Sequence, residues 1–282
     1  MKVRSPSQAG SFYAGTYGAL QQQIKECFSH PLGPGEIPRP VDRPLEHVIG
    51  LVCPHAGYMY SGPVAAHAYY HLSLDGKPES VIIMGPNHTG LGSAISMMNK
   101  GAWRTPLGDV EIDTELAERI LKVSEIIDVD EYAHRFEHSI EVQLPFLQYL
   151  FGSSFKFVPI CFQMQDLESC REVGENIAEV ATKKSILLIA STDMTHYESQ
   201  KAAETKDKAV IEPLTNLDVV EFYRRIETLR VSMCGYGPTI AVVTASKNLG
   251  AVNAQLLRYN TSGDVTGDYS SVVGYSSIAI RR

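Results

Sequence analysis

The chain has 282 residues, of which 44% are hydrophobic and 20% are charged, which is typical of a globular protein with a sizeable core. Its formal net charge of −7 argues against nucleic acid as a partner, because nucleic-acid binding needs a basic surface. No segment is apolar enough to span a membrane and no secretion signal is visible, so we expect a cytoplasmic protein without a membrane partner.

The apolar pattern predicts a single domain over residues 1–282 in which helices and strands alternate. A helix is expected over 16–29, and the proline-rich linker at 31–44 excludes regular structure. Continuous apolar runs predict buried strands at 48–53, 81–84 and 186–190, and a fourth strand is expected at 155–161. Helical periodicity is expected at 62–72, 114–123, 139–150, 167–182, 200–212, 218–226 and 237–249, and further strands at 253–259 and 271–280.

This alternation predicts the fold class. Strands that are apolar throughout belong to sheets covered on both faces by helices. We therefore expect an α/β protein, a three-layer α/β/α sandwich with a mostly parallel central sheet and some antiparallel strands towards the end of the chain.

Histidines follow the three strongest predicted strands. His55 comes after the first strand and His88 after the second, while Asp193 and His196 follow the third. Because ligand sites in open α/β sheets form beyond the carboxyl ends of the strands, we expect these side chains to meet at one edge. They predict a metal-binding or acid–base cluster, against the alternative that each histidine is an ordinary loop residue.

Two further segments carry candidate site residues. Cys234 precedes a predicted helix start, where a thiolate that binds metal is favoured, although residue type alone favours a buried structural cysteine. The chain has five cysteines and no CxxC pair, so we expect free thiols. His138 could be an acid–base residue, and Glu137 or Glu141 could orient an imidazole, unless the segment is only a polar helix start.

Taken together, these residues resemble the Memo family. The motifs that carry the resemblance extend from residue 9 almost to the last strand, and in chain order they are AGSFY at 9–13, PHAGY at 54–58 with SG at 61–62, GPNH at 85–88, RTPL at 104–107, EHSIE at 137–141 with LP at 144–145, STD at 191–193 with His196, and CG at 234–235 with Pro238.

The resemblance implies the fold of class III extradiol dioxygenases, which open catechol rings with non-haem iron. It implies a metal site formed by His55, His88 and Cys234, with Asp193 and His196 beside it. Looser similarity places His138 in a segment that carries an active-site histidine in related ring-opening enzymes. The third ligand of those enzymes is a carboxylate, whereas a thiolate suits copper(I), zinc or a redox-active iron.

Three functions are compatible with such a site. The first is an iron(II)- or copper-dependent oxidoreductase acting on a small molecule, with His196, Asp193 and His138 as its catalytic residues. The second is a non-catalytic protein that uses a vestigial dioxygenase pocket to hold a metal or a peptide. The third is a zinc-dependent hydrolase in which His55, His88 and Cys234 bind zinc.

Overall fold

A large β-sheet with helices on both faces is the framework of the molecule. The computed structural model describes residues 2–181 and 185–282. Within these ranges the strands are β1 (Val3–Arg4), β2 (Val48–Cys53), β3 (Ser80–Pro86), β4 (Ile95–Met97), β5 (Ala102–Thr105), β6 (Gly108–Glu111), β7 (Asp128–Val129), β8 (Lys156–Phe162), β9 (Ile186–Ser191), β10 (His196–Glu198), β11 (Asn253–Thr261) and β12 (Val272–Arg281).

Helices alternate with most of the strands. They are α1 (Tyr17–Ser29), α2 (Tyr58–Asp75), α3 (Thr114–Val123), a 3-10 helix (Glu141–Gln143), α4 (Leu144–Phe151), α5 (Leu167–Ala181), α6 (Gln200–Thr215), α7 (Val219–Leu229), α8 (Tyr236–Asn248) and the short α9 (Gly263–Thr266). None of the described helices combines the length and the apolar character that crossing a bilayer requires.

The strand order of the main sheet is β10-β12-β2-β9-β3-β8-β4-β7, with β11 also paired to β12. The four central strands β2, β9, β3 and β8 are parallel, whereas β12 joins β2 in the antiparallel direction and β4 joins β8 likewise. The sheet is therefore mixed, and the expectation of a mostly parallel sheet is correct only for its centre. The antiparallel strands flank this centre: β12, which also pairs with β11, lies on one side, and β4 lies on the other.

The central strands pack helices on both of their faces. On β3, Val81 and Ile83 belong to the core formed with α1, α2 and α4, whereas Ile82 and Met84 belong to the core formed with α3, α5 and α8. Successive side chains of a strand point to opposite faces, so a strand that is apolar at every position needs two covering layers. This burial explains why the continuous apolar runs of the sequence become central strands.

The predicted boundaries of helices and strands differ most from the structure in the segment that follows His138. A helix was expected over 139–150, but a 3-10 turn comes first and the α-helix begins only at Leu144. The predicted helix at 167–182 ends at Ala181, and residue 182 lies outside the described residues. All five cysteines are free thiols, as expected.

The packing of α5 against α8 gives a prediction for stability. Replacing Gly174 of α5 by alanine should lower the free energy of unfolding by roughly 1–3 kcal/mol. The reason is that the added Cβ would lie 2.6 Å from the carbonyl oxygen of Ala241 and 2.8 Å from Cβ of Thr244. Gly18→Ala on α1 is the matched control, since, apart from its chain neighbours and the backbone of its own helix, no atom lies within 4 Å of its Cβ position. Urea unfolding that gives equal stabilities for both variants would contradict this packing.

Candidate metal site

The carboxyl ends of three neighbouring parallel strands form the base of the site. Strand β9 lies between β2 and β3, and all three run in the same direction. His55 stands two residues after β2, His88 two residues after β3, and Asp193 two residues after β9. The strand directions therefore bring these residues to one edge of the sheet, which is where open α/β sheets bind ligands.

Three imidazoles converge at this edge. The ligand atoms of His55, His88 and His138 all lie within 4.8 Å of one another. The ring centroid of His55 is 5.1 Å from that of His88 and 5.3 Å from that of His138, and the His88 and His138 rings are stacked at 4.4 Å. His55 is buried while His88 is exposed, so the group is open to solvent on the His88 side.

The hydrogen bonds around Ser191 fix the tautomer of His55. The Ser191 hydroxyl donates its only proton to the backbone oxygen of Ser139 at 2.5 Å, and its oxygen accepts from Nε2 of Gln143 at 2.7 Å. Nδ1 of His55 lies 3.0 Å from the same oxygen and must therefore be the donor of that hydrogen bond. His55 thus carries its proton on Nδ1 and presents the Nε2 lone pair to the site.

The orientation of the Gln143 amide supports this assignment. Its oxygen accepts from the hydroxyl of Tyr69 at 2.6 Å, while its nitrogen donates to the backbone oxygen of Pro54 at 3.0 Å. Reversing the amide would place two oxygens against each other at Pro54, so the amide is fixed by its partners. Burial, followed by the nearby histidines, holds the pKa of His55 well below its usual range, and the ring stays neutral.

A carboxylate behind the site holds His88. Oε1 of Glu137 lies 2.9 Å from Nδ1 of His88, and Oε2 accepts from the backbone N–H of His88 at 2.6 Å. Burial raises the pKa of Glu137, but the hydrogen bond from His88, the charges of the neighbouring imidazoles and the N–H of Ser139 together outweigh burial and lower the pKa to about 2. The ionised carboxylate orients the ring so that Nε2 is the atom that can bind a metal, as partners of metal-binding histidines usually do.

His138 is held differently from the other two histidines. Its Nδ1 lies 3.4 Å from Oε1 of Glu137, beyond ordinary hydrogen-bond length, and its ring packs against Phe12 with a centroid distance of 4.7 Å. Burial lowers the pKa of His138 to about 4, which keeps it neutral. Of the two carboxylates that the sequence offered to orient an imidazole, Glu141 pairs with Arg4 instead, and residues 137–140 are not helical.

Asp193 and Cys234 lie beside His55. The carboxylate of Asp193 accepts the backbone N–H of His55 at 2.8 Å, and its Oδ2 is 4.0 Å from Nε2 of His55. Sγ of Cys234 is 3.2 Å from the same Nε2. Burial raises the pKa of the Cys234 thiol well above its usual range. The helix start that follows therefore does not by itself favour a thiolate.

His196 lies at the margin of the site. Residues 192–195 are not helical, so Asp193 and His196 do not lie one helical turn apart. The partner of His196 is Ser232, whose backbone oxygen lies 2.8 Å from Nδ1. A carbonyl oxygen only accepts, so Nδ1 carries the proton and Nε2 is left as the available nitrogen.

The donor set fits a transition-metal ion. Imidazole nitrogens and a thiol sulfur are the ligands that zinc, copper and iron prefer over magnesium or calcium. The structure brings His55, His88 and His138 into one group that could hold such an ion, and it places Cys234 against His55. Ser191 belongs to one of the motifs noted in the sequence, but its supporting role was not predicted, and Gln143 was not noted at all, because the contacts of both residues join segments far apart in the chain.

The position of Asp193 gives a prediction for pH dependence. Burial raises its pKa to about 6, so the folded protein holds a proton that the unfolded chain releases near pH 4. The free energy of unfolding of chelator-treated protein should then fall as the pH rises from about 4 through 6. Asp193→Asn, which cannot ionise, should gain up to about 3 kcal/mol over the wild type at pH 8 and almost nothing at pH 4.

Urea titrations at the two pH values measure this difference. Asp42→Asn is the control, because Asp42 is exposed and its replacement should change stability at neither pH. A gain of the same size at pH 4 and pH 8 would show that ionisation of the buried carboxyl is not the cause.

Comparison with known proteins identifies the family. The family model described as "Memo-like protein" matches residues 4–279. A MEMO1 family protein of Methanopyrus kandleri is 54% identical over 281 residues, which cover 99% of this chain and 99% of that protein. A MEMO1 family protein of Methanothermobacter thermautotrophicus is 50% identical over 279 residues, which cover 98% of this chain and 100% of that protein. An uncharacterised Escherichia coli K12 protein shares the fold, with a TM-score of 0.57, 14% identity and coverage of 83% of this chain and 99% of its own. The chain therefore belongs to the Memo family.

Proposed function

We propose that the protein is a redox-active, metal-dependent oxidoreductase. Its ion would be held by His55, His88 and Cys234, with His138 as a further donor. The observation that carries this proposal is the convergence of three imidazole ligand atoms within 4.8 Å, with Sγ of Cys234 only 3.2 Å from Nε2 of His55. Two atoms at that separation can bind the same ion at about 2.0–2.3 Å.

Iron(II) or copper suits this mixture of donors. Imidazole binds both metals, and the thiolate adds the soft character that copper(I) prefers. A bound iron or copper ion would supply electron transfer and Lewis acidity. The inferred relation to class III extradiol dioxygenases supports iron, although in those enzymes a carboxylate takes the place that Cys234 occupies here.

The groups that would move protons are His196 and Asp193. His138 could also act as an acid–base group if it does not bind the metal. His196 is held through Nδ1 by Ser232, which leaves Nε2 as an acid–base atom. The pKa of Asp193, raised to about 6 by burial, lies close to neutral pH, where a general base works best. The ligand would be a small molecule or a peptide that enters on the exposed His88 side, and we place this activity in the cytoplasm.

A zinc-dependent hydrolase is the second candidate. Three histidines around one zinc ion, with a fourth position for water, form a common catalytic arrangement. Asp193 could then act as the base that activates the water. A vestigial site that only holds a metal is the remaining alternative, and it would keep the ligands while losing any turnover.

Metal titrations test the ligand set. Replacing His55 or His88 by alanine should weaken the binding of iron(II), copper(I) and zinc by about 100-fold or more, since each change removes a direct ligand. Cys234→Ser should weaken copper(I) binding far more than zinc binding, because it exchanges a soft donor for a hard one. His71→Ala is the control, since His71 lies near the far end of α2, beside Arg281. Unchanged affinity in the His55 and His88 variants would refute the site.

Oxygen uptake tests the proposed reaction class. Iron(II)-loaded or copper-loaded protein should consume oxygen with catechol as the probe, and zinc-loaded protein should not. His196→Ala should lower the rate by about 100-fold or more while the metal stays bound, because a general base is separable from the ligands. No uptake with either metal, together with ester hydrolysis by the zinc-loaded protein, would favour the hydrolase instead.

A further inference from the structure

An N-terminal arm, residues 4–13, lies across the segment that carries His138. Arg4 is buried, and its guanidinium donates to the backbone oxygens of His134 at 2.6 Å and Glu137 at 2.8 Å. It also pairs with the buried carboxylate of Glu141 at 2.6 Å. Through these contacts the arm binds to both ends of the loop that carries His138.

Glu141 receives most of its other hydrogen bonds from the same arm. Its Oε2 accepts from both the backbone N–H and the hydroxyl of Ser7 at 2.9 Å, and its Oε1 accepts from the N–H of Gln8 at 2.9 Å and the hydroxyl of Tyr13 at 2.6 Å. A buried carboxylate is costly unless its oxygens are bonded. If the arm lifted away, Glu141 would lose these partners, so the arm and the loop are stable together.

Phe12 brings the arm into contact with the site itself. Its ring centroid lies 4.7 Å from that of His138, and its backbone oxygen accepts the N–H of Tyr58 at the start of α2 at 2.7 Å. Among the described residues, the other rings against His138 are those of His55 and His88. Ser191 and Glu137 fix those two histidines by hydrogen bonds, whereas the His138 ring depends on packing.

We propose that Phe12 is a positioning residue for His138, and that seating of the N-terminal arm is linked to metal occupancy. This inference rests on the proposed metal site. If the seated arm keeps His138 beside the ion, the protein with a seated arm binds metal more tightly than the protein with a displaced arm. The ion must then stabilise the seated arm by the same factor.

Zinc titration of the chelator-treated full-length protein tests the role of Phe12. Phe12→Leu keeps an apolar side chain but loses the ring, and it should weaken zinc binding by about tenfold, the effect expected for a residue that orients a ligand. Phe12→Tyr keeps the ring and should bind zinc as the wild type does. Phe136→Leu is the matched control, because Phe136 is exposed and packs on Arg135 instead of on a ligand.

Hydrogen exchange tests the linkage without relying on any variant. Zinc should slow exchange of the amides of residues 7–13, several of which donate to Glu141 or Gln8, and leave helix α1 unchanged. If the wild type binds zinc and Phe12→Leu binds it with the same affinity, this proposal is overturned and the metal site stands. The same holds if the wild type binds zinc but the arm gains no protection from exchange. Failure of the wild type to bind zinc, iron(II) or copper(I) would overturn both.

Discussion

The parallel pairing of β2, β9 and β3 is the constraint on which the site depends. Their register aligns Cys53 with Ser191, so the turns that follow β2 and β9 leave the sheet side by side. His55 therefore meets Ser191 and Asp193 directly, and His88 arrives from the strand on the other side of β9. A shift of one residue in this register would separate His55 from both partners. The helices on the two faces stabilise the register because they bury side chains of alternate positions.

The site combines a rigid side and an adjustable side. His55 and His88 each have Nδ1 engaged by a protein acceptor, and those acceptors are themselves held by buried groups. His138 instead lies on a loop. Its position depends on ring packing and on the N-terminal arm, which binds to that loop. Cys234 adds a thiol whose pKa is raised by burial, which favours its neutral form. Two of the possible donors, His55 and His88, are therefore fixed by hydrogen bonds, whereas His138 is held mainly by packing.

Much of this arrangement could be predicted from the sequence, because buried parallel strands carry a strong local signal. The apolar run at 48–53 is β2 itself, and the position of His55 after it indicated the correct edge of the sheet. The place of His138 could not be predicted in the same way. Its loop is shaped by Glu137, which bonds the N–H of His88, 49 residues earlier, and by Arg4, 137 residues from Glu141. Periodicity reports only neighbours along the chain. Strands of two to four residues, such as β7 and β10, are too short to show any period.

Anomalous diffraction from crystals of the iron(II)-loaded protein, grown without oxygen, tests the central claim most directly. The account predicts one strong peak at the carboxyl edge of the sheet, at about 2.0–2.3 Å from a ring nitrogen of His55 and of His88 and within the same distance of Cys234 or His138. A peak elsewhere in the molecule, or fully loaded crystals with no peak between His55 and His88, would contradict it.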